Sequence, residues 1–355
     1  MSQRRPEKKA SIFRRYENMT PFSILAGFAI TIVLLQLITN TGQGTPKFPT
    51  FILPVNLFNI MMQVAVPGIV AVGMMMVIIS GGIDLSVGML SSLVGIFVAL
   101  GVSKWSLGAV PAMLLGILLA VVCEAIMGFI ISRTNVEPFI ISLGGMIAFQ
   151  GVALLLCNSR EVVLNNEFDF FKTNLIAGAK DPVNGLNLTI PIYVIIFLVI
   201  VVLLWAVMRF TTFGRRVYAV GSNKNAAYLS GVNVKNMKLM IYMLHGLLVG
   251  IASVLLLARV NVGIITLGQS MEIDAIAMAV IGGTAMSGGK GNVWGTFFGV
   301  LLLGSIGNAM NMLRLPSEVQ YVAKGVIIIM AVTAPYISSS MSNFLAKFRG
   351  KDSNA

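Results

Sequence analysis

The chain has 355 residues, 57% of them apolar and 11% charged, with a formal net charge of +12. A soluble domain carries roughly 25% charged and about 45–50% apolar residues, so this sequence has too few polar side chains to cover a water-facing surface. Its continuous apolar runs, long enough to cross about 30 Å of hydrocarbon, exclude the roughly 10-residue alternating strands of a membrane β-barrel. What is left is an all-α polytopic membrane protein, with its positive charge explained by the lipid bilayer rather than by nucleic acid.

The N-terminal stretch "MSQRRPEKKASIFRRYENMTPF" is basic, and the apolar segment after it lacks a small-residue cleavage site. Residues 1–21 therefore read as a cytoplasmic basic tail ahead of a retained first span. About ten spans are predicted, at 22–39, 57–80, 84–102, 108–131, 138–157, 188–208, 239–258, 271–286, 293–312 and 319–335. Together they make a transmembrane domain over 22–335, followed by a cytoplasmic tail at 336–355. Ten spans put both termini on one side. On this layout seventeen Lys and Arg residues fall on the side of the tails and seven on the opposite side, with Lys324 inside the last span. That bias places both termini in the cytoplasm.

The second and third spans meet in "ISGGIDLSVG" (79–88). Glycines inside a membrane sequence either let helix backbones approach closely or break a helix so that its ends line a cavity. GG-x-D-x-S favours a break at Gly81 and Gly82. Asp84 is then expected to cap the next helix by accepting N–H groups toward Ser86 and Val87, near the cytoplasmic end of the membrane; a deeper break would instead put the carboxylate beside the conduit. Glu124, in "LLAVVCEAIMGFII", is a mid-span carboxylate, which is either a functional group or a hydrogen-bond partner for a neighbouring helix. Cys123 and Cys157 both lie in apolar runs, which argues against a disulfide framework or a metal cluster.

Two loops are long. Residues 158–187 are polar, of mixed charge and predicted to be external; residues 209–238 carry six basic residues and no acid, on the inside. Arg215 and Arg216 lie in the second loop, ahead of "NKNAAYLSG". There Asn223 or Asn225 suits a helix cap, Ala226 and Ala227 favour helix, and Gly231 suits its end. A short helix on the inner face offers a surface for another protein. His245, the single histidine, reads as an interhelical hydrogen-bonder or as a proton relay. Glu272 and Asp274 are expected near the outer boundary, paired locally with Arg259, and Lys324 either snorkels or pairs with a carboxylate.

"IGGTAMSGGKGNVWG" (281–295) echoes the first glycine segment through Gly282, Gly283, Ser287 and Gly288. It also resembles a phosphate-binding P-loop, but Thr284 stands where the first glycine is needed, and Gly291 where Ser or Thr should follow Lys290. The echo joins spans 2–3 and 8–9, so it is not the match that five-plus-five inverted halves would give; an odd number of spans per half still allows such halves. No nucleophile–base pair or metal spacing points to catalysis.

Five motifs, "ISGGIDLSVG", "NVEPFIISLGGM", "TTFGRRVYAVGSNKNAAYLSGVNV", "EIDAIAMAVIGGTAMSGGKGNVWGT" and "QYVAKGVIIIMAV", occur in order between about residues 50 and 335. In residues and spacing they resemble bacterial ABC importer permeases of the ribose/galactose/xylose type. The resemblance implies a type II-like importer architecture in the bacterial inner membrane. It also implies a second permease, identical or related, with a conduit between the two. A cytoplasmic ABC ATPase holds the ATP and magnesium, this chain binds no cofactor, and an extracytoplasmic binding protein delivers a monosaccharide. The 209–238 loop becomes the ATPase-coupling segment, and the glycine segments line the translocation path. Glu124 departs from the resemblance, which predicts a small or apolar residue there. Nucleosides, inositol or a signalling sugar are alternative cargoes. An ion-coupled carrier using Asp84, Glu124 and His245 is the rival mechanism.

Overall fold

The computed structural model describes residues 27, 29–37, 51–176, 178–181, 185–330 and 333. The predicted tails at 1–21 and 336–355 lie outside the described residues, as do the edges of the first and last predicted spans. The first five helices are α1 (29–37), α2 (Pro54–Ile79), α3 (Val87–Ser103), α4 (Ala109–Arg133) and α5 (Pro138–Cys157). After an irregular loop come α6 (Ile192–Phe210), α7 (Thr212–Ser222), α8 (Lys224–Leu229) and α9 (Val234–Val260). The last three are α10 (Met271–Ile281), α11 (Val293–Met312) and α12 (317–330).

Among the described residues six helices, α2, α4, α5, α6, α9 and α11, are long and apolar enough to cross a membrane. Two predicted spans are shorter than planned. α3 has 17 residues, and α10 has 11, about 16 Å of helix.

α2 is the central helix. Every residue from Gly68 to Ile79 is buried, as expected of a helix that is apolar all round. Pro54 starts it, and the Val55 amide, an orphan of the first turn, donates to Asp181 of the 158–187 loop at 3.1 Å. α4 and α9 pack closely because small residues face each other. A Cβ on Gly246 would lie 2.7 Å from the Glu124 Cβ and 2.8 Å from the Ala120 carbonyl oxygen.

The 158–187 loop has structure of its own at one end of the bundle. Its strand β1 (Val162–Val163) pairs antiparallel with β2 (Val262–Gly263), just after α9. A 3-10 turn follows at Asp169–Lys172. The predicted 209–238 loop, in contrast, is largely helical. Thr211 caps α7 through the Gly214 amide, and Asn233 caps α9 through the Asn236 amide.

Candidate functional site

At the α7 end of the bundle three segments of backbone meet. The end of α2 receives a hydrogen bond from the distant glycine loop, Gly289 N–H to the Ile79 carbonyl at 2.8 Å. α7 closes over this contact, and Gly221 lies so near the Ile79 carbonyl that a Cβ there would overlap it. Tyr218 of α7 donates its hydroxyl to the Gly291 carbonyl at 2.9 Å. Burial pushes the Tyr218 phenol above its ordinary value, against an opposing pull from Arg209, so the group stays a hydroxyl donor. Gly81, Gly283 and Gly288 adopt left-handed backbone at φ +79, +87 and +82. Gly282 packs against Gly295 and Thr296 at the start of α11, and Ser287 is exposed. The two glycine segments therefore touch, with α7 as the third partner.

α8 stands beyond this junction. Asn223, and not Asn225, caps it, accepting the Ala226 amide at 3.0 Å. It ends in a Schellman arrangement: Val232 N–H donates to Ala227 O, Gly231 N–H donates to Tyr228 O, and Gly231 sits at φ +82. Ala227 is buried, whereas Ala226 and Asn225 are exposed, and Tyr228 and Leu229 stand 71% and 84% exposed. Arg215 and Arg216 are exposed on α7.

From the junction, residues 82–86 run as irregular backbone into the bundle. Asp84 accepts the Ser86 amide as expected but does not hold the N-cap position of α3, and of the two depths considered it takes the deeper one. Ser86 holds the N-cap position without a side-chain cap bond. Asp84 Oδ1 instead accepts the Ser86 amide at 2.8 Å and the Ser86 hydroxyl at 2.7 Å, closing a local turn. The Ser86 hydroxyl also lies 3.3 Å from Glu124 Oε1, and His245 Nε2 is 3.9 Å from Asp84 Oδ2. Glu124 is nine residues from the end of α4 at Arg133, about 14 Å along the axis. Asp84 is thus roughly halfway through the bundle rather than at its inner end. Asp84, Ser86, Glu124 and His245 are all fully buried.

From the other side Ser142 of α5 grips the break. Its hydroxyl accepts the Leu85 amide at 3.0 Å and lies 3.3 Å from the Ile83 carbonyl. In effect a side chain does what a paired strand would do for exposed backbone. A small cleft lined by Gly81, Ile83, Glu137, Phe139 and Met286 opens beside it. Ser142→Ala is expected to cost about 1–3 kcal/mol, because a partly buried amide loses its partner. The measurement is thermal unfolding of the purified chain in detergent, and a midpoint equal to wild type would count against the clamp.

The structure thus gathers Asp84, Ser86, Glu124 and His245 in one cluster, and Gly81 with Gly288 in another. Asp274 pairs with Lys324 of α12 at 3.0 Å rather than with Arg259, whose guanidinium reaches the Met62 carbonyl. Sequence reasoning missed Ser142, Tyr218, Gly221 and Tyr242, the last lying against Gly82 and Gly128. Only the glycine of "AVGS" carried any signal. Among the described residues no group of His, Cys, Asp or Glu is arranged to hold a metal ion.

Comparison with known proteins agrees with this architecture. Residues 56–332 match the family described as branched-chain amino acid transport system / permease component. The chain is 39% identical to the ribose import permease protein RbsC of Bacillus subtilis, over 80% of this chain and 85% of that protein. It is 32% identical to the xylose transport system permease protein XylH of Haemophilus influenzae, over 89% and 96%. It is 34% identical to the probable ABC transporter permease protein YphD of Escherichia coli, over 89% and 91%. No solved structure matches the chain. Helices built to cross a membrane, a backbone break held inside the bundle and a family match spanning most of the sequence lead to one conclusion: the chain belongs to the family of permease components of ABC transport systems and is a membrane permease.

Proposed function

We propose that this chain forms half of the path by which an ATP-driven importer takes up a monosaccharide. A second permease, identical or related, supplies the other half. A cytoplasmic ATPase pair drives the cycle, and an extracytoplasmic binding protein delivers the sugar. The similarity to ribose and xylose permeases supports the cargo class. Nucleosides, inositol and signalling sugars are the rival cargoes. On this reading ten segments cross or enter the inner membrane and both termini are cytoplasmic.

The observation that carries the mechanism is the three-way contact at Ile79, Gly221 and Gly289. α8 is free to dock on an ATPase through Tyr228 and Leu229, and it follows α7 directly. Movement of α7–α8 is then passed as backbone displacement to the start of the break and to the α10–α11 loop. Inverted halves gain support from a pair of junctions that the glycine echo had hidden. Irregular segments follow both α2 and α9, the second and seventh predicted spans. The half-helices after them, α3 and α10, run in opposite directions from the middle of the bundle.

Replacing Tyr228 and Leu229 together by aspartates should leave α8 folded, since both side chains are exposed. ATP-driven uptake of D-ribose or D-xylose by the importer in proteoliposomes should fall at least about tenfold, the effect of losing about 1.4 kcal/mol. Copurification of the ATPase should fail in parallel. Unchanged copurification and uptake would defeat the docking role.

A further inference from the structure

The segment between α9 and α10, residues 261–270, does not stay at the membrane surface. It descends along α3. Gly263 packs against Ala99, Leu267 fills the notch at Gly95, the Gly268 amide donates to Ser92 Oγ at 3.1 Å, and the Gly268 backbone lies against Gly88. Ala99 to Gly88 is eleven residues of helix, about 16 Å of descent. α10 begins at that depth, with Glu272 against Gly88, and its 11 residues then reach the junction with α7. Glu272 and Asp274 are therefore deep in the bundle rather than near the outer boundary.

This depth changes the meaning of the exposed side chains on the segment. Gln269 and Thr266 are exposed, and Ser270, Glu272 and Asp274 are partly so. A primary amide without a partner in hydrocarbon costs several kcal/mol, about 4–8 on alkane transfer scales. Irregular backbone at such depth is tolerated where it lines a water-filled cavity or is covered by protein. The charge of Asp274 is already matched by Lys324. At the start of α10 Ile273 is exposed and Glu272 partly exposed. Within residues 261–270 the exposed polar groups are uncharged: an amide with two donors and an acceptor, and a hydroxyl. That chemistry suits a neutral polyhydroxylated solute better than an ion or an apolar helix.

We propose that Gln269, with Thr266 above it, lines the sugar path and hydrogen-bonds the hydroxyl groups of the passing monosaccharide. This inference rests on the monosaccharide-importer reading and names the wall of its path. The test is Gln269→Ala in the complete importer, with D-ribose and D-xylose as probes. The KM of uptake for one or both should rise, or their ratio shift, by about tenfold, as expected when a polar partner is lost, with the same amount of complex recovered. Unchanged KM values and an unchanged ratio would overturn the proposal.

A second measurement does not depend on cargo. Gln269→Cys should be labelled by a small, membrane-impermeant thiol reagent, against a background of the buried Cys123 and Cys157. Labelling only by a lipid-soluble reagent would place the residue against lipid and overturn the proposal. If the wild-type complex moves neither sugar under ATP, the importer reading fails, and the thiol result still reports on the wall.

Discussion

Adding one methyl group at Gly221 is expected to stop transport. A Cβ there would collide with the Ile79 carbonyl and come within 2.8 Å of the Gly289 nitrogen, the two atoms' groups that bond to each other. Both obstacles are backbone, so neither can rotate aside, and overpacking of this kind costs typically about 1–3 kcal/mol, occasionally more. The displaced element is α7, which stands between α8 and the helix break. Gly221→Ala should therefore reduce ATP-driven uptake at least about tenfold, beyond any loss in the amount of inserted chain. Gly307→Ala is the matched control, because a Cβ at Gly307 meets nothing within 4 Å. Equal uptake by Gly221→Ala and Gly307→Ala, per unit of assembled complex, would remove the junction from the mechanism.

The second large effect concerns Glu124, the carboxylate that the family resemblance did not predict. Its Oε1 shares the Ser86 hydroxyl with Asp84, while Gly246 of α9 presses against its Cβ. Leucine at this position keeps roughly the volume but sets an apolar group beside the buried Asp84, whose Oδ2 has no donor among the described residues. An unsatisfied buried polar group costs about 1–3 kcal/mol. Glu124→Leu should accumulate poorly or unfold at lower temperature. Glutamine keeps the Oε1 acceptor in place and adds N–H donors facing Asp84, so Glu124→Gln should fold and transport within a few-fold of wild type. Loss of uptake in a well-folded Glu124→Gln importer would show that an ionisable group is required. It would also favour the ion-coupled reading, for which Asp84, Glu124 and His245 are close enough to act together.

Much of the helical plan was legible because a bilayer allows few solutions. Apolar runs, a basic loop and the asparagine before "KNAAYLSG" each follow from local chemistry, and α8 appears with the cap and glycine end that its residues suggest. The sequence left the role and depth of Asp84 open for a physical reason. A turn through Ser86 and a helix cap use the same acceptor and neighbouring donors, and only the packing of α4 and α9 decides between them. Glu272 and Asp274 were expected too near the outer boundary because the path of residues 261–270 is not readable locally. "NVGIITLGQS" has the composition of a short surface link, and its descent along α3 depends on notches at Gly95 and Gly88 in another part of the chain.

By itself, then, the sequence determined that this is a helical membrane protein with a short capped helix in its basic loop, since length, polarity and capping act over a few neighbouring residues. The tertiary structure alone decided how deep the breaks lie, which polar groups share a proton donor, and that Gly221, Ile79 and Gly289 form one joint. Those are contacts between segments tens to hundreds of residues apart, and their geometry is set by how whole helices pack.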